Sequence, residues 1–454
     1  MKDKGGLVMK TYITKQHQAD AVKALERLVK HPSYLATAAP GAPFGVGVRA
    51  ALDEMMALCD ELGFKTYTDP DGNYGYAEVG EGDDIFGILG HVDVVPAGDA
   101  ADWATDPYQA VIKDGVIHGR GVQDDKGPSV AALFAVKALM DAGVTFKERV
   151  RFIFGTDEEN LWRGIAVYTE KEAQITHGIA PDSEFPVTYA EKGLQQAYLI
   201  GPGTSDFSLD LDQPFNAVPA KAAYDGPKLA EVTQALDDFG FAYETTDTGI
   251  VVTGKAIHAM LAPEGTNAVL RLAMALDKVF PDGPLSLIGQ CVKEDATGAN
   301  LLGDISDEAS GHLTINLSGI KVTPEETRIQ LDMRVPVTVN HKALLTQLQE
   351  AVGKYGLRYE DFDYLAPLYV PRDSALVETL MGVYQDVTGD QTPPQVSGGA
   401  TYARTMHQCV AFGAMLPGVP DYMHQVDEQW ELAKMYEAMT IYAEAVARIV
   451  GNVE

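Results

Sequence analysis

A histidine and an aspartate at the end of an apolar segment are the first residues that could do chemistry. His91 and Asp93 follow Ile88 and Leu89 in a segment that predicts a buried strand. Side chains alternate along a strand, so residues two apart lie on the same face. His91 could therefore bind a metal ion while Asp93 accepts a hydrogen bond from its other ring nitrogen, or from a nearby group. A single His-x-Asp is weak evidence, so the interpretation depends on further ligands.

Four later segments also place acidic or imidazole side chains after apolar runs or between glycines. In open α/β sheets, ligands bind beyond the carboxyl ends of the strands. Carboxylates that converge there repel one another unless cations neutralise them. The candidates are Asp124 and Asp125 between glycines, Asp157, Glu158 and Glu159 after a predicted strand, Asp182 after a short apolar stretch, and His424 in a late segment.

The types of these side chains favour two metal ions. A mixture of His, Asp and Glu without Cys suits Zn²⁺, Mn²⁺ or Co²⁺ better than a structural zinc site. Two metals about 3.5–4 Å apart need one shared carboxylate and about two further ligands each. Glu158 and Asp93 remain for supporting roles. The sequence therefore predicts a bimetallic hydrolase whose ligands are His91, Asp124, Glu159, Asp182 and His424.

Each segment also has an ordinary structural explanation. Two aspartates before a helix are usually a cap with solvated neighbours, and two glutamates after a strand are usually an exposed turn. A histidine such as His424, taken alone, is more often a surface residue than a ligand. These explanations weaken together, because composition alone does not place five candidate ligands at successive strand ends.

Charge and cysteine content restrict the partners and the compartment. The 454 residues include 35 basic and 65 acidic side chains, for a net charge of −30, so we expect neither nucleic acid nor a membrane as a partner. Cys59, Cys291 and Cys409 form no CxxC pair, which fits a reducing cytoplasm. No segment has the length and apolar character of a signal peptide or a membrane span. We predict a cytoplasmic protein.

The pattern of apolar residues predicts an α/β fold interrupted by an insertion. Helices at 17–30, 45–62 and 129–143 alternate with strands at 74–79, 85–89 and 150–154. This alternation predicts a three-layer α/β/α metallohydrolase domain with a mainly parallel sheet. The pattern changes near residue 190 and returns near 372. We therefore predict a discontinuous catalytic di-metal domain (1–190 and 372–454) and an inserted α+β lid domain (191–371).

Five motifs in order resemble one family. GHVDVVPAGD, GRGVQDDKGP, GTDEEN, APDSEFP and the late His424 are similar to the successive motifs of the di-zinc aminoacylase/carboxypeptidase G-type metallopeptidases. Within these, the chain resembles the bacterial peptidase V-type dipeptidases, including the Xaa-His (carnosinase-like) enzymes, from about residue 15 onwards. The resemblance implies that Asp124 bridges two metals, with His91 and Asp182 at one and Glu159 and His424 at the other. It also implies that Glu158 is the catalytic acid/base and that Asp93 orients His91.

The same resemblance implies substrate-binding residues in the lid. His258, in GKAIHAMLAPEGTNAV, would polarise the scissile carbonyl, and Asn216 would help to bind the oxyanion. Arg334 and a glycine loop would hold the C-terminal carboxylate of the substrate through a bidentate guanidinium and backbone N–H groups. The alternative for Arg334 is a structural ion pair at a strand end. The residues of the glycine loop are Ser397, Gly398 and Gly399.

The chain departs from the resemblance at Asn160-Leu161-Trp162, where relatives usually have a small residue followed by glycine. We expect this departure to affect specificity more than chemistry, because the ligands are unchanged.

The sequence thus predicts a dipeptidase that needs a free substrate carboxylate and binds two divalent metal ions, Zn²⁺ foremost and Mn²⁺ or Co²⁺ as alternatives. A water between the metals would be activated by Glu158. An N-acyl amino acid or succinyl-diaminopimelate deacylase with the same metals is the nearest alternative, and a non-catalytic binding protein on this scaffold is a remote one. The long insertion favours a monomer, with a homodimer as the alternative.

Overall fold

The chain forms two compact units in this computed structural model, which describes residues 11–281 and 283–452. Within the described residues, unit 1 comprises 11–189, 369–395 and 401–452. Unit 2 comprises 190–281, 283–368 and 396–400. The domain boundaries predicted from the sequence also take in residues 1–10, 282, 453 and 454, which lie outside the described residues.

The α-helices are distributed over the whole described chain. They are α1 (Lys15–Val29), α2 (Val46–Glu61), α3 (Lys126–Asp141), α4 (Arg163–Lys171), α5 (Leu229–Phe239), α6 (Ala268–Val279), α7 (Ala299–Leu302), α8 (His341–Gly353), α9 (Ala375–Thr388) and α10 (Leu432–Val450).

The strands before and within the insertion are β1 (Lys65–Thr68), β2 (Tyr74–Val79), β3 (Ile85–His91), β4 (Val111–Lys113), β5 (Val116–His118), β6 (Thr145–Phe146), β7 (Arg149–Gly155), β8 (His177–Ala180), β9 (Ser183–Glu184), β10 (Thr188–Glu191), β11 (Gly193–Pro202), β12 (Leu209–Asp210), β13 (Lys221–Tyr224), β14 (Tyr243–Thr245), β15 (Ile250–Thr253), β16 (Ser306–Asp307), β17 (Gly311–His312), β18 (Thr314–Val322), β19 (Glu326–Val335) and β20 (Arg358–Leu365). The later strands are β21 (Leu368–Tyr369), β22 (Gln395–Ser397), β23 (Cys409–Ala411), β24 (Ala414–Met415), β25 (Gln429–Glu431) and β26 (Gly451–Asn452).

Unit 1 is built on a sheet with helices on both faces. Its strands follow the order β1-β2-β7-β3-β8-β23. On β2, a Cβ added to Gly75 would lie 2.7 Å from the Sδ of Met56 in α2, whereas the ring of Tyr74 packs edge-on against Tyr168 of α4, with centroids 5.2 Å apart. Adjacent residues of a strand point to opposite faces, so α2 and α4 cover opposite faces of the sheet. The predicted three-layer α/β/α arrangement is confirmed.

Helix α3 lies inside unit 1 and not on its surface. Every residue from Lys126 to Val136 is buried, and α3 packs against α1, α10 and β3. A helix that is apolar around its whole circumference is typical of such a position. Because α3 starts directly after Asp125, its packing fixes the loop that precedes it.

Unit 2 has α+β architecture. Five antiparallel strands are arranged in the order β12-β18-β19-β11-β20, and β13, β15 and β14 form a smaller sheet. Val252 of β15, Leu272 of α6 and Leu331 of β19 belong to the same buried core. The predicted α+β character of the insertion is confirmed.

Some elements differ from the prediction for identifiable reasons. Helix α3 begins at Lys126 and not at residue 129, because Pro128 lies in the first turn, where no backbone N–H is needed. The sheet predicted as mainly parallel is parallel only among β7, β3, β8 and β23, and its β1-β2 and β2-β7 pairs are antiparallel. Strand β20 was not predicted, because charged residues interrupt its apolar pattern at the edge of its sheet.

Among the described residues, none of the helices combines the length and the apolar character that crossing a membrane requires.

The burial of α3 predicts a large difference between two leucine-to-alanine variants of unit 1. Leu133 is fully buried in α3, whereas Leu35 is 41% exposed. Leu133→Ala should lower the free energy of unfolding by about 2–5 kcal/mol through lost contacts and a residual cavity, and Leu35→Ala by less than about 0.5 kcal/mol. Urea unfolding followed by circular dichroism measures both. Equal midpoints would contradict the packing described for α3.

Candidate metal centre

The first candidate ligand group lies at the carboxyl ends of two parallel strands. His91 ends β3 and is fully buried, and Asp182 follows β8. The Nε2 of His91 lies 3.0 Å from Oδ1 of Asp124 and 3.7 Å from Oδ2 of Asp182. One ligand atom from each of the three residues lies within 4.8 Å of the others. This spacing is suited to a single divalent cation.

The second group uses the other oxygen of the same aspartate. The Nε2 of His424 lies 2.9 Å from Oδ2 of Asp124 and 3.0 Å from Oε2 of Glu159. These three ligand atoms also lie within 4.8 Å of one another. The carboxylate of Asp124 therefore faces His91 with one oxygen and His424 with the other, which is the arrangement of a bridging ligand.

The orientation of His91 leaves its Nε2 available for a cation. Nδ1 lies 2.9 Å from the backbone carbonyl oxygen of Asp93. A carbonyl only accepts hydrogen bonds, so Nδ1 has the proton and, in the neutral ring, Nε2 has the lone pair. This lone pair faces the carboxylates of Asp124 and Asp182, which also only accept. The donor set therefore needs a positive charge at its centre, and a divalent metal fits it.

Asp93 acts on His91 through its main chain in this structure. Its Oδ1 lies 3.6 Å from Nδ1 of His91, which is too long for a hydrogen bond. Its Oδ2 instead accepts a hydrogen bond from the backbone N–H of Glu159 at 3.1 Å. The side chain of Asp93 thus connects the end of β3 to the loop after β7, and its carbonyl orients the imidazole.

Unpartnered carboxylate oxygens provide a second test of the metal assignment. Oε1 of Glu159 is buried and has no hydrogen-bond partner among the described residues. A buried carboxylate oxygen without a partner is costly unless a cation or a proton satisfies it. Oδ1 of Asp125 is also buried without a hydrogen-bond partner in the described part of the chain, whereas its Oδ2 accepts hydrogen bonds from the N–H of His91 and the hydroxyl of Ser129.

The negative charge of the centre shifts the pKa values of its members. Hydrogen bonds to Asp124 and Glu159 raise the pKa of His424 to about 11. Burial lowers the pKa of His91, but the hydrogen bond to Asp124 and the nearby negative charge of Asp182 outweigh it, and the pKa lies well above its usual value. Burial and the charge of Asp124 raise the pKa of Glu159 to about 7. In the metal-free protein, protons thus occupy the positions that a cation would take.

Glu158 lies beside the ligands without belonging to either group. Burial and the nearby Asp182 raise the pKa of its carboxyl well above the usual value. Its backbone carbonyl accepts a hydrogen bond from the indole N–H of Trp162 at 2.7 Å. Asp157 closes the same loop, because its carboxylate accepts hydrogen bonds from the backbone N–H and the guanidinium of Arg163. The loop that contains Glu158 is therefore fixed on both sides.

Within Asn160-Leu161-Trp162, the segment that departs from the family resemblance, Trp162 has an unusual backbone conformation. Its φ of 59° lies in the left-handed region, which bulky side chains rarely adopt. Its ring packs against Tyr402, with centroids 5.3 Å apart, and Tyr402 packs against His91. Leu161 is 59% exposed. This segment thus contributes an indole ring that packs against Tyr402, the neighbour of His91, and a leucine side chain exposed at the surface.

In unit 2, the predicted residues Asn216 and His258 are adjacent. The carbonyl of Asn216 accepts a hydrogen bond from the N–H of Ala259 at 2.8 Å. Nδ1 of His258 accepts one from the N–H of Met260 at 3.2 Å, so the neutral ring has its proton on Nε2. Both side chains are exposed. The segment therefore presents an imidazole N–H donor next to an asparagine amide.

Arg334 forms the ion pair that the sequence left as an alternative. Its Nε and Nη2 donate to the two carboxylate oxygens of Asp332 at 2.8 and 3.0 Å, and both residues are buried. Its Nη1 donates to the carbonyl of Gly398 at 2.8 Å. A Cβ on Gly398 would lie 2.6 Å from that of Met260. The glycine loop, Arg334 and the segment after His258 thus meet within unit 2.

Three supporting residues were not predicted. Asn316 donates to the carbonyls of Phe215 and Ala217, on either side of Asn216. Asp332 orients Arg334, and Glu428 contacts the loop that contains Asp124. The sequence feature that could have indicated these residues is a polar side chain within or beside an apolar run, because a polar group buried there requires a hydrogen-bond partner. That signal does not identify the partner.

The sequence matches Peptidase family M20/M25/M40 over residues 87–448, and the chain belongs to this family. The protein named "Putative dipeptidase YtjP" of Bacillus subtilis (strain 168) is 36% identical over 433 residues, which cover 90% of this chain and 92% of that protein.

Solved structures share the fold at low identity. Human carnosine dipeptidase 1 has a TM-score of 0.60 and 17% identity, covering 95% of this chain and 96% of its own. The YXEP protein of Bacillus subtilis, described as a dinuclear metal-binding peptidase from the same family, has a TM-score of 0.53 and 11% identity, covering 96% and 99%. The family resemblance and the prediction of an enzyme are confirmed: the chain is a dipeptidase-like metallopeptidase.

The raised pKa values predict that metal binding releases protons. His424, with a pKa of about 11, and His91 are protonated near pH 7 in the metal-free protein, and a cation must displace these protons. We expect release of more than one proton per protein, and an affinity for metal that rises with pH. Calorimetric titration with Zn²⁺ in buffers of different ionisation enthalpy measures the number. His424→Ala should release fewer protons, and an equal number would contradict the assignment of His424.

Proposed function

We propose that this protein hydrolyses the peptide bond of dipeptides that have a free C-terminal carboxylate, with two divalent cations as cofactors. The observation that best supports the proposal is the carboxylate of Asp124, whose two oxygens face two different imidazoles. Unit 1 would be the catalytic domain and unit 2 the lid domain. Zn²⁺ suits the donor set of carboxylates and imidazoles, and Mn²⁺ and Co²⁺ are the alternatives.

The proposed ligands divide into two sets around Asp124. His91 and Asp182 would complete one site, and Glu159 and His424 the other. When bound, two divalent cations lower the pKa of a water molecule toward neutrality and polarise a carbonyl oxygen. The ends of β3, β7 and β8, which are neighbours in the sheet, would position three of these ligands, His91, Glu159 and Asp182.

Glu158 is the proposed acid/base. Its carboxylate would accept a proton from the attacking water and deliver it to the nitrogen of the leaving amine. Burial raises the pKa of the Glu158 carboxyl in the metal-free protein, and a carboxyl that retains a proton more readily is a stronger base when ionised. Asp93 would keep His91 in the tautomer that leaves Nε2 available.

Residues of unit 2 would recognise the rest of the substrate. The Nε2–H of His258 and the amide of Asn216 would donate to the oxyanion. Arg334 with Ser397, Gly398 and Gly399 would bind the substrate carboxylate. Asp332 accepts from two guanidinium N–H groups of Arg334 and the carbonyl of Gly398 accepts from a third, so two of the five N–H groups are left for a carboxylate.

The nearest alternative is a deacylase of N-acyl amino acids or succinyl-diaminopimelate with the same metal chemistry, and a non-catalytic binding protein is the remote one. The relatives with dipeptidase names favour the dipeptidase. The cytoplasmic location and the monomeric state stay predictions from the sequence, and light scattering would distinguish a monomer from a homodimer.

The role of Glu158 can be tested by a substitution that keeps its shape. Glu158→Gln should bind two metals as the wild type does and lose about 10²- to 10⁴-fold in kcat/KM for dipeptides, because the amide cannot accept the proton. Glu170→Gln, at an exposed position of α4, is the matched control and should keep full activity. Metal content and initial rates measure both variants. A near wild-type rate for Glu158→Gln would exclude the proposed role.

The substrate class can be tested with three sets of compounds on the Zn²⁺-loaded enzyme. Dipeptides should be hydrolysed fastest. The same dipeptides with a C-terminal amide should lose about 10- to 100-fold in kcat/KM, since charge-assisted hydrogen bonds to the carboxylate are lost. N-acyl amino acids retain the carboxylate and should be slower than dipeptides. Faster turnover of N-acyl amino acids would identify a deacylase and reject the dipeptidase.

A further inference from the structure

We infer that Glu428 is a positioning residue for both metal sites, acting on Asp124 through the backbone of the loop 119–124. This inference rests on the proposed function, because it assumes that Asp124 is the shared ligand. It adds a residue that is not itself a ligand, and it assigns that residue an effect on metal affinity.

The carboxylate of Glu428 is fully buried and accepts four hydrogen bonds from one loop. Oε1 accepts from the backbone N–H groups of Gln123 at 2.7 Å and Asp124 at 3.3 Å. Oε2 accepts from the N–H of Gly121 at 3.0 Å and from Nη1 of Arg120 at 2.7 Å. Two carboxylate oxygens offer about four acceptor positions, and this loop occupies all of them. Glu428 therefore fixes the conformation of the loop and is not an additional metal ligand.

Further contacts connect the loop to the chain around His424. The carbonyl of Glu428 accepts from the N–H of Gly119 at 3.0 Å. The side chain of Gln123 donates to the carbonyl of Pro420 at 3.1 Å and accepts from the N–H of Tyr422 at 2.9 Å. Beyond the loop, β25 pairs with β5. The segment before Asp124 is thus joined to the chain on both sides of His424.

This arrangement gives Glu428 an influence on both cations at once. The N–H of Asp124 is one of its four donors, and the two oxygens of Asp124 face the two ligand groups. A shift of the loop would displace a ligand of each metal. Loss of a hydrogen-bonding partner behind a metal ligand typically weakens metal binding by about 10- to 100-fold.

The experiment measures metal affinity, not activity. Metal-free wild type and Glu428→Gln are titrated with Zn²⁺ by calorimetry, and the visible absorption of Co²⁺ reports the ligand geometry. In Glu428→Gln, an NH₂ group replaces an oxygen that accepts from N–H groups. We expect both Zn²⁺ dissociation constants to rise by about 10- to 100-fold, and the Co²⁺ spectrum to change.

The matched control is Glu78→Gln. Glu78 accepts hydrogen bonds from Nε and Nη2 of Arg151 at 2.9 and 2.8 Å on the sheet of unit 1, so its variant also loses an ion pair. It should bind Zn²⁺ with wild-type affinity. If Glu428→Gln does not fold, Glu428→Asp decides the question: it keeps the charge but withdraws the carboxylate from its four donors in the loop, and should weaken Zn²⁺ binding by about 2- to 10-fold.

The outcomes separate this inference from the proposed function. Wild-type protein that binds fewer than two cations would overturn both. Two cations bound by the wild type, together with unchanged dissociation constants in a folded Glu428→Gln, or in Glu428→Asp where the former does not fold, would overturn the role of Glu428 alone. Equal weakening in Glu78→Gln would show a general loss of stability and would likewise overturn it.

Discussion

The carboxylate of Asp124 is the constraint around which the candidate centre is organised. Its two oxygens face His91 and His424, which lie far apart in the sequence. Asp182 and Glu159 add negative charge within a few ångströms, and charges so close in a low-dielectric interior repel strongly unless cations lie between them. The fold must therefore hold acidic groups together that would separate on their own, and its interior hydrogen bonds do so.

Much of that restraint comes from buried charges bound to main-chain atoms. Glu428 accepts from three backbone N–H groups, and Lys126 donates to the carbonyls of Leu28 and His31. Burial lowers the pKa of Lys126 to about 7. Such buried groups add little net stability, because their desolvation offsets most of the attraction. What they fix is position: each one ties the loop or helix next to Asp124 to a different part of unit 1.

The proximity of the candidate ligands His91, Glu159 and Asp182 was predictable because each follows an apolar run, and parallel strands bring their carboxyl ends to one edge of a sheet. The layers of unit 1 followed from the alternation of helical and strand patterns in the same way. The partners of the ligands were not predictable, since these contacts join segments that the sequence separates widely. Glu428 lies 304 positions from Asp124. The left-handed backbone of Trp162 was likewise not predictable, since local preference favours glycine there, and its ring packs against the distant Tyr402.

The order of the ligands along the chain has a consequence for folding during synthesis. His91, Asp124, Glu159 and Asp182 all precede unit 2, whereas His424 and Glu428 follow it. A growing chain that has passed residue 182 contains every member of the first ligand group, yet it lacks the last ligand of the second and the carboxylate that fixes the loop of Asp124. Strand β23 and helices α9 and α10 of unit 1 are also synthesised late. Domains generally fold in their order of synthesis. Here the nearly continuous unit 2 is complete before the interrupted unit 1, so the second candidate ligand group is the last part of the candidate centre to form.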